Sequence, residues 1–219
     1  MSVDELSPMF VAALGADPAT LRARGEALRS VLAAGQELHI THPGGTDLRL
    51  QIADRPVRVS DGAVSPGGEE GGSGRQVWLP AGEVFLAPVP GTAAGRVVAA
   101  RVPYEGGWIE NLTMEVENGR VTSLTADSGA ERLLAQWEAA GEGRDVLGVV
   151  DFGINPELRL DARSPGTWIA DGFVSLAVGN NMWAGGENAA TYGHYVHLGG
   201  ATATVDGETI LDNGGLVLP

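Results

Sequence analysis

The residues with the means to do chemistry gather between Val149 and Leu198. The run VVDFGINPELRL delivers Asp151 to a Gly-Ile-Asn-Pro turn, and GFVSLAVGNN is a second β-like run, Phe173 to Val178, ending in Gly179-Asn180-Asn181. The stretch AGGENAATYGHYVHL then leads from Gly185-Gly186 and Asn188 to Tyr192, His194, Tyr195 and His197. Acids, amides and imidazoles placed at strand ends beside glycine turns are the ingredients of a small-molecule site. A further acid, Glu83, heads a short apolar strand after Pro80-Ala81-Gly82. An unpaired carboxylate would cost several kcal/mol to bury there, so Glu83 is either exposed or engaged by a partner.

These groups need a frame, and the chain spells out one that is mostly β. Ser7-Pro8 and Asp17-Pro18 each set an N-cap residue before a proline, which predicts two helices beginning there. The second should run to about Ala34, burying Leu21, Leu28, Val31 and Leu32, with Gly25 as its weak point and Gly35 as its stop. This pair, residues 1–36, reads as a packing arm. From Glu37 the texture changes to short alternating runs: ELHITH, a Pro43-Gly44-Gly45 turn, TDLRLQI and PVRVS. His39 and His42, on or beside the first strand, read as hydrogen-bonded surface residues. Residues 61–75, rich in Gly, Ser and Pro, predict a mobile loop, a surface insertion or a lid. Asn118-Gly119 marks a hairpin, SGAERLLAQWEAA is the one clear internal helix with Trp137 on its apolar side, and Asp206-Gly207 and Asn213-Gly214 mark two more turns. The expected fold is α+β: a mainly antiparallel domain over 37–219, with a short N-terminal helical arm and one internal helix.

Composition narrows the function classes. At 219 residues the chain fits one main domain. Its net charge of -14 argues against nucleic acid and anionic membranes as partners, because phosphate contacts need clustered cations. All 14 basic residues are arginine, so no lysine is present to form a Schiff base. With no cysteine, thiolate chemistry and disulfides are excluded as well. No apolar run is long enough to cross a membrane, and the start lacks the form of a secretion signal, so a cytoplasmic protein is expected.

Taken together, GTDLRLQI, LPAGEVFLAPVPGTAAGRVV, the Asp-Phe-Gly-Ile-Asn-Pro turn, VSLAVGNN, GGEN and VDGETILDNG resemble a known family. They are similar to the C-terminal catalytic region of the thermophilic-type metalloaminopeptidases, aminopeptidases T and S, and of the related 2,5-dihydroxypyridine dioxygenases. The resemblance runs from about Asp17 to the end, and relatives carry a further N-terminal domain that this chain is expected to lack. It implies a homodimer, and a metal held by two acids, a His, and a His-x-Asp pair. The first acid corresponds to Glu83 and the second to Asp151. The His position falls on Ser175, and the His-x-Asp pair falls on Gly193 and Tyr195. Three ligands are therefore replaced by groups that offer neither imidazole nor carboxylate, which implies a degenerate metal site. A one-residue shift would recruit His194 and His197 beside Glu83 and Asp151, but residues 194 and 197 of a strand point to opposite faces unless a bulge intervenes.

What remains is a proton-transfer toolkit. Two carboxylates close together in a partly dry pocket repel as anions, so one keeps its proton and the pair becomes an acid and a base. The expected catalytic residues are Glu83, Asp151, His194 and Tyr195, with Ser175, Asn188, Tyr192 and His197 contacting substrate and no metal or other cofactor. The expected function is a metal-independent enzyme of small-molecule metabolism, natural-product biosynthesis included, performing an isomerisation, cyclisation or elimination. Two alternatives stand beside it: an aminopeptidase-like hydrolase using zinc or iron on the shifted ligand set, and a non-catalytic accessory protein. A Ser175-His194-Asp151 triad is disfavoured, because VSLAV lacks the strained Gly-x-Ser-x-Gly elbow that exposes a nucleophile.

Overall fold

The structure, a computed structural model, describes residues 3–63, 78–161 and 168–217. Most of the segment 61–75, read above as a loop or lid, lies outside the described residues. Helix α1 spans Val3–Leu14 and runs through Pro8 instead of starting there. Proline at this position removes the amide that would reach back to Asp4. Tertiary contacts carry the helix across it: Met9 and Ala13 pack with Leu158, Ile169 and Phe173, and the Phe10 ring lies 4.9 Å from that of Trp168. Helix α2, Pro18–Ala34, has the boundaries its sequence predicts, capped by Asp17, whose carboxylate accepts from the amides of Ala19 and Thr20. Gly25 is no weak point here. A Cβ at this position would sit 2.4 Å from Val59, so the glycine is what lets α2 lie close on the sheet.

The strands form two antiparallel sheets. In the larger sheet β1 (Glu37–His42) pairs with β2 (Thr46–Gln51), and β5 (Ala94–Tyr104) and β6 (Gly107–Glu117) make a long hairpin extended by β7 (Arg120–Thr125). Its other side is β11 (Thr202–Val205), β12 (Glu208–Asp212) and β13 (Gly215–Leu216), giving the order β13-β12-β11-β1-β2-β5-β6-β7. The smaller sheet contains β3 (Arg58–Ser60), β4 (Glu83–Leu86), β8 (Leu147–Gly153), β9 (Val174–Gly179) and β10 (Gly193–Leu198), in the order β10-β9-β8-β4-β3. The β6–β7 turn carries Asn118 and Gly119 at φ of 51° and 74°, the left-handed pair that a two-residue hairpin demands.

One core fills the space between the sheets, drawing Leu38, Ile40, Leu48 and Leu50 from one and Val84, Val150, Phe152 and Leu176 from the other. Helix α2 adds Leu28 and Leu32, and helix α3 (Glu131–Ala139) adds Leu133 and Trp137. The fold is α+β, as expected. Strands β8 and β9 are buried along their whole length, which is why LGVVDFG and VSLAVG read as near-continuous apolar runs without alternation. Asp151 and Ser175 are the exceptions in composition, yet they are only 2% and 0% exposed. No helix among the described residues is long and apolar enough to cross a membrane.

Candidate active site

Strand β4 is aimed by the turn that follows β8. The amide of Ile154 donates to the carbonyl of Gly82, one residue before Glu83. Asn155, fully buried, donates through its side chain to the carbonyls of Ala13 at 3.0 Å and Ala81 at 2.6 Å, and accepts from the amide of Glu157. A single amide thus fastens the end of α1, the approach to β4 and the exit from β8 to each other. Gly82 is part of the same joint, since at its φ of 119° a Cβ would lie 2.6 Å from that of Asn155.

Register then places the functional groups in a row. Asp151 on β8 faces Ser175 on β9, and Ser175 faces His197 on β10. Glu83 pairs with Gly153, two residues from Asp151, so the two carboxylates are diagonal neighbours on one face of adjacent strands. Tyr195, two residues before His197, shares that face and stacks on its ring at 6.3 Å. Ser175 Oγ and His197 Nδ1 are 2.7 Å apart.

Burial sets the charge state of this row. Glu83 is pushed up to about 7 by loss of solvent. Asp151 lies well above the usual carboxylate range, first through burial and then through the negative charge of Glu83, and its Oδ1 has no hydrogen-bond partner among the described residues. Near neutrality the pair therefore retains a proton. Burial also drives the Tyr195 phenol up, with Asp151 and Glu83 adding to it, and lowers both His194 and His197 to about 4, so both imidazoles are neutral at pH 7.

These groups open on a cavity of about 760 Å³ between the outer half of β5 and the β10 end of the smaller sheet. Its floor carries Glu83 and Asp151, and its walls include Trp78, Trp168, Trp183 and Arg101. The wall residues went unnoticed in the sequence. Two tryptophans in irregular segments, a third in the short 3-10 helix Met182–Ala184 and one arginine on a long hairpin carry no local signal of a shared pocket.

The eight residues singled out from sequence do not all meet. Glu83, Asp151, Tyr195 and His197 share the cavity face, with Ser175 behind His197. His194 also touches the cavity, but from the other side of β10, which ends its sheet and runs in unbroken register with β9 from Gly193 to Leu198. Its ring stands edge-on to Tyr104 at 5.7 Å, so the bulge needed to bring His194 and His197 together is absent. Ser175 pairs with His197, not with His194, which removes the geometry of the disfavoured triad.

Two residues expected to contact substrate lie outside the cavity lining. Tyr192 packs edge-on against Trp137 at 5.8 Å beside the main core and does not line the cavity. Asn188 donates to the carbonyls of Gly143 and Gly179 and, through its own amide, to the side chain of Asn181. The Gly-Gly-Glu-Asn motif is a loop clamp: a Cβ at Gly186 would fall 2.2 Å from Asn181. His39 and His42 are held as ordinary surface partners, by Asp47 and by the carbonyl of Gly199.

This two-sheet arrangement is the fold of two solved structures. The 2,5-dihydroxypyridine dioxygenase from Pseudomonas putida superposes with a TM-score of 0.80, at 20% identity, over 97% of this chain and 63% of that one. AmpT from Thermus thermophilus superposes with a TM-score of 0.64, at 22% identity, over 93% of this chain and 56% of that one. The chain belongs to the 2,5-dihydroxypyridine 5,6-dioxygenase family, whose sequence profile matches residues 8–218. It is also 33% identical to aminopeptidase AmpS of Bacillus subtilis over 107 residues, which is 48% of this chain and only 25% of that protein.

The resemblance implies a divalent metal, and its fit can be judged from the donors present. Glu83 and Asp151 supply two carboxyls on one face of adjacent strands. At the remaining positions Ser175 is committed to His197, Gly193 has no side chain, and Tyr195 holds its phenolic proton. Among the described residues no three of His, Asp or Glu group in a way that would hold a metal ion. At the five positions the resemblance implies, these donors do not make up the set a transition metal takes.

Proposed function

We propose that this chain is a metal-independent enzyme of small-molecule metabolism that moves protons within its substrate, with Glu83 and Asp151 as the acid/base pair. The observation that carries the reading is the placement of two desolvated carboxyls, diagonal on adjacent strands, at the floor of a cavity walled by aromatic rings. Glu83, with a pKa near 7, is ionised in part at neutral pH and takes a proton from carbon or a heteroatom of the substrate. The proton kept by the pair is returned to a second substrate atom, so the sum is an isomerisation, cyclisation or elimination without an external oxidant or reductant. Neutral His197, its ring fixed by Ser175, serves the same transfer as a hydrogen-bonding partner. Such catalysis supplies about 10²–10⁴-fold.

Solvent deuterium incorporation into a panel of enolisable aryl ketones, followed by NMR, tests it. Exchange should fall by about 10²–10⁴-fold in Glu83→Gln and be indifferent to chelators. Undiminished exchange in that variant, or loss of activity on chelation together with a stoichiometric metal, overturns the reading; the second result would instead favour the aminopeptidase-like metallohydrolase.

A further inference from the structure

One cation lines the cavity, on β5 of the larger sheet. Among the described residues that line the cavity, Arg101 on β5 is the only lysine or arginine. Its Nε donates to Glu110 at 3.1 Å, and the guanidinium rests on the Trp108 ring with Cζ 4.2 Å from the centroid. The Nε bond is the only hydrogen bond its side chain makes among the described residues, which leaves the two terminal NH2 groups free to donate. A guanidinium tethered at Nε and laid flat on an indole is a preorganised fork of the kind that receives a carboxylate through two parallel hydrogen bonds. In a chain of net charge -14 an anionic ligand gains nothing from the overall field, so a local cation has to supply the attraction.

The rest of the cavity fixes what the anion is attached to. Trp78, Trp168 and Trp183 offer flat apolar faces, and the floor offers the carboxyl oxygens of Glu83 and Asp151 beside imidazole nitrogens and the Tyr195 phenol. The volume of about 760 Å³ suits a ring with extensions at both ends better than a bare ring. We infer that the ligand is an aryl carboxylate bearing a hydrogen-bond donor at its far end: the carboxylate on Arg101, the ring among the tryptophans, the donor directed at Glu83 and Asp151. This deepens the acid/base reading by naming its substrate class and rests on it for which end reacts.

Titration calorimetry with para-hydroxyphenylacetate and its neutral amide, para-hydroxyphenylacetamide, tests the inference without needing turnover. The wild-type chain should bind the acid roughly tenfold or more tightly than the amide. Arg101→Gln should erase that preference, Arg101→Lys should keep part of it, and Glu83→Gln should weaken both ligands while leaving their ratio alone. Equal affinity for acid and amide in the wild type, no binding of either at millimolar concentration, or an unchanged ratio in Arg101→Gln overturns it. Failure of the acid/base reading looks different: full exchange activity in Glu83→Gln beside an intact, Arg101-dependent preference for the acid.

Discussion

The Ser175 hydroxyl and Nδ1 of His197 meet at 2.7 Å across directly paired positions of β9 and β10. Because Ser175 is fully buried, it has no route to attack a substrate, and its part is to hold the imidazole ring of His197 in one orientation at the cavity wall. Ser175→Ala should therefore release the ring and leave a buried ring nitrogen unsatisfied, at about 1–3 kcal/mol. The nitrogen-15 shifts of His197 should move from one tautomer to a mixture, with turnover falling roughly tenfold or more. An unchanged tautomer in the variant would show that Ser175 merely fills space.

The acids and the imidazoles predict opposite slopes of stability with pH. Glu83 is raised from 4.5 to about 7 in the fold, so the folded state binds more protons between those values and stability falls as pH rises through that window. The contribution is on the order of 3 kcal/mol. His194 and His197 are lowered from 6.5 to about 4, so their contribution is complete above 6.5 and is lost as pH falls toward 4. Over the window the two effects share, about pH 4.5–6.5, urea midpoints of Glu83→Gln should rise more steeply with pH than those of the wild type, and those of His194→Phe less steeply. The reverse assignment, or no change in either variant, would contradict the burial of these groups.

Asn155, in the turn after β8, should matter to stability more than any polar residue within the smaller sheet. Asn155→Ala strands the carbonyls of Ala13 and Ala81 and the amide of Glu157. A loss of about 2–3 kcal/mol is expected, which lowers Tm by roughly 5–10 °C in a domain of this size. Thermal unfolding within a degree of wild type would mean that the turn is held by its backbone alone.

Much of this architecture was legible in the sequence, for physical reasons that can be named. TDLRLQI alternates because β2 has one face in the core and one in water, and Asn118-Gly119 predicts its hairpin because few residue pairs accept two positive φ values. Glu83 stood out because a carboxylate heading an apolar strand demands an explanation. The pairing of Ser175 with His197 was not legible. It depends on the register of β9 against β10 across an irregular connection, and that register is set by the clamps of Asn181 and Asn188, not by turn residues of known geometry. Pro8 misled for the opposite reason: its local preference is real, but the packing of Met9, Phe10 and Ala13 outweighs it.

Tyr192 separates the chemistry of the cavity from the packing behind it. From sequence it is expected to contact substrate; in the fold its ring lies against Trp137 and its hydroxyl is buried without a partner among the described residues. Burial, with Tyr104 nearby, pushes its phenol up to about 12, so it stays neutral and takes no part in proton transfer near pH 7. A buried hydroxyl with no partner has lost its water contacts and gained nothing in exchange. Tyr192→Phe should therefore unfold at the same or higher urea concentration, by as much as about 1 kcal/mol, with activity and ligand binding unchanged. A fall in catalytic rate with stability intact would put the Tyr192 hydroxyl back among the groups that contact substrate, and would mean that the cavity reaches further behind β10 than its walls imply.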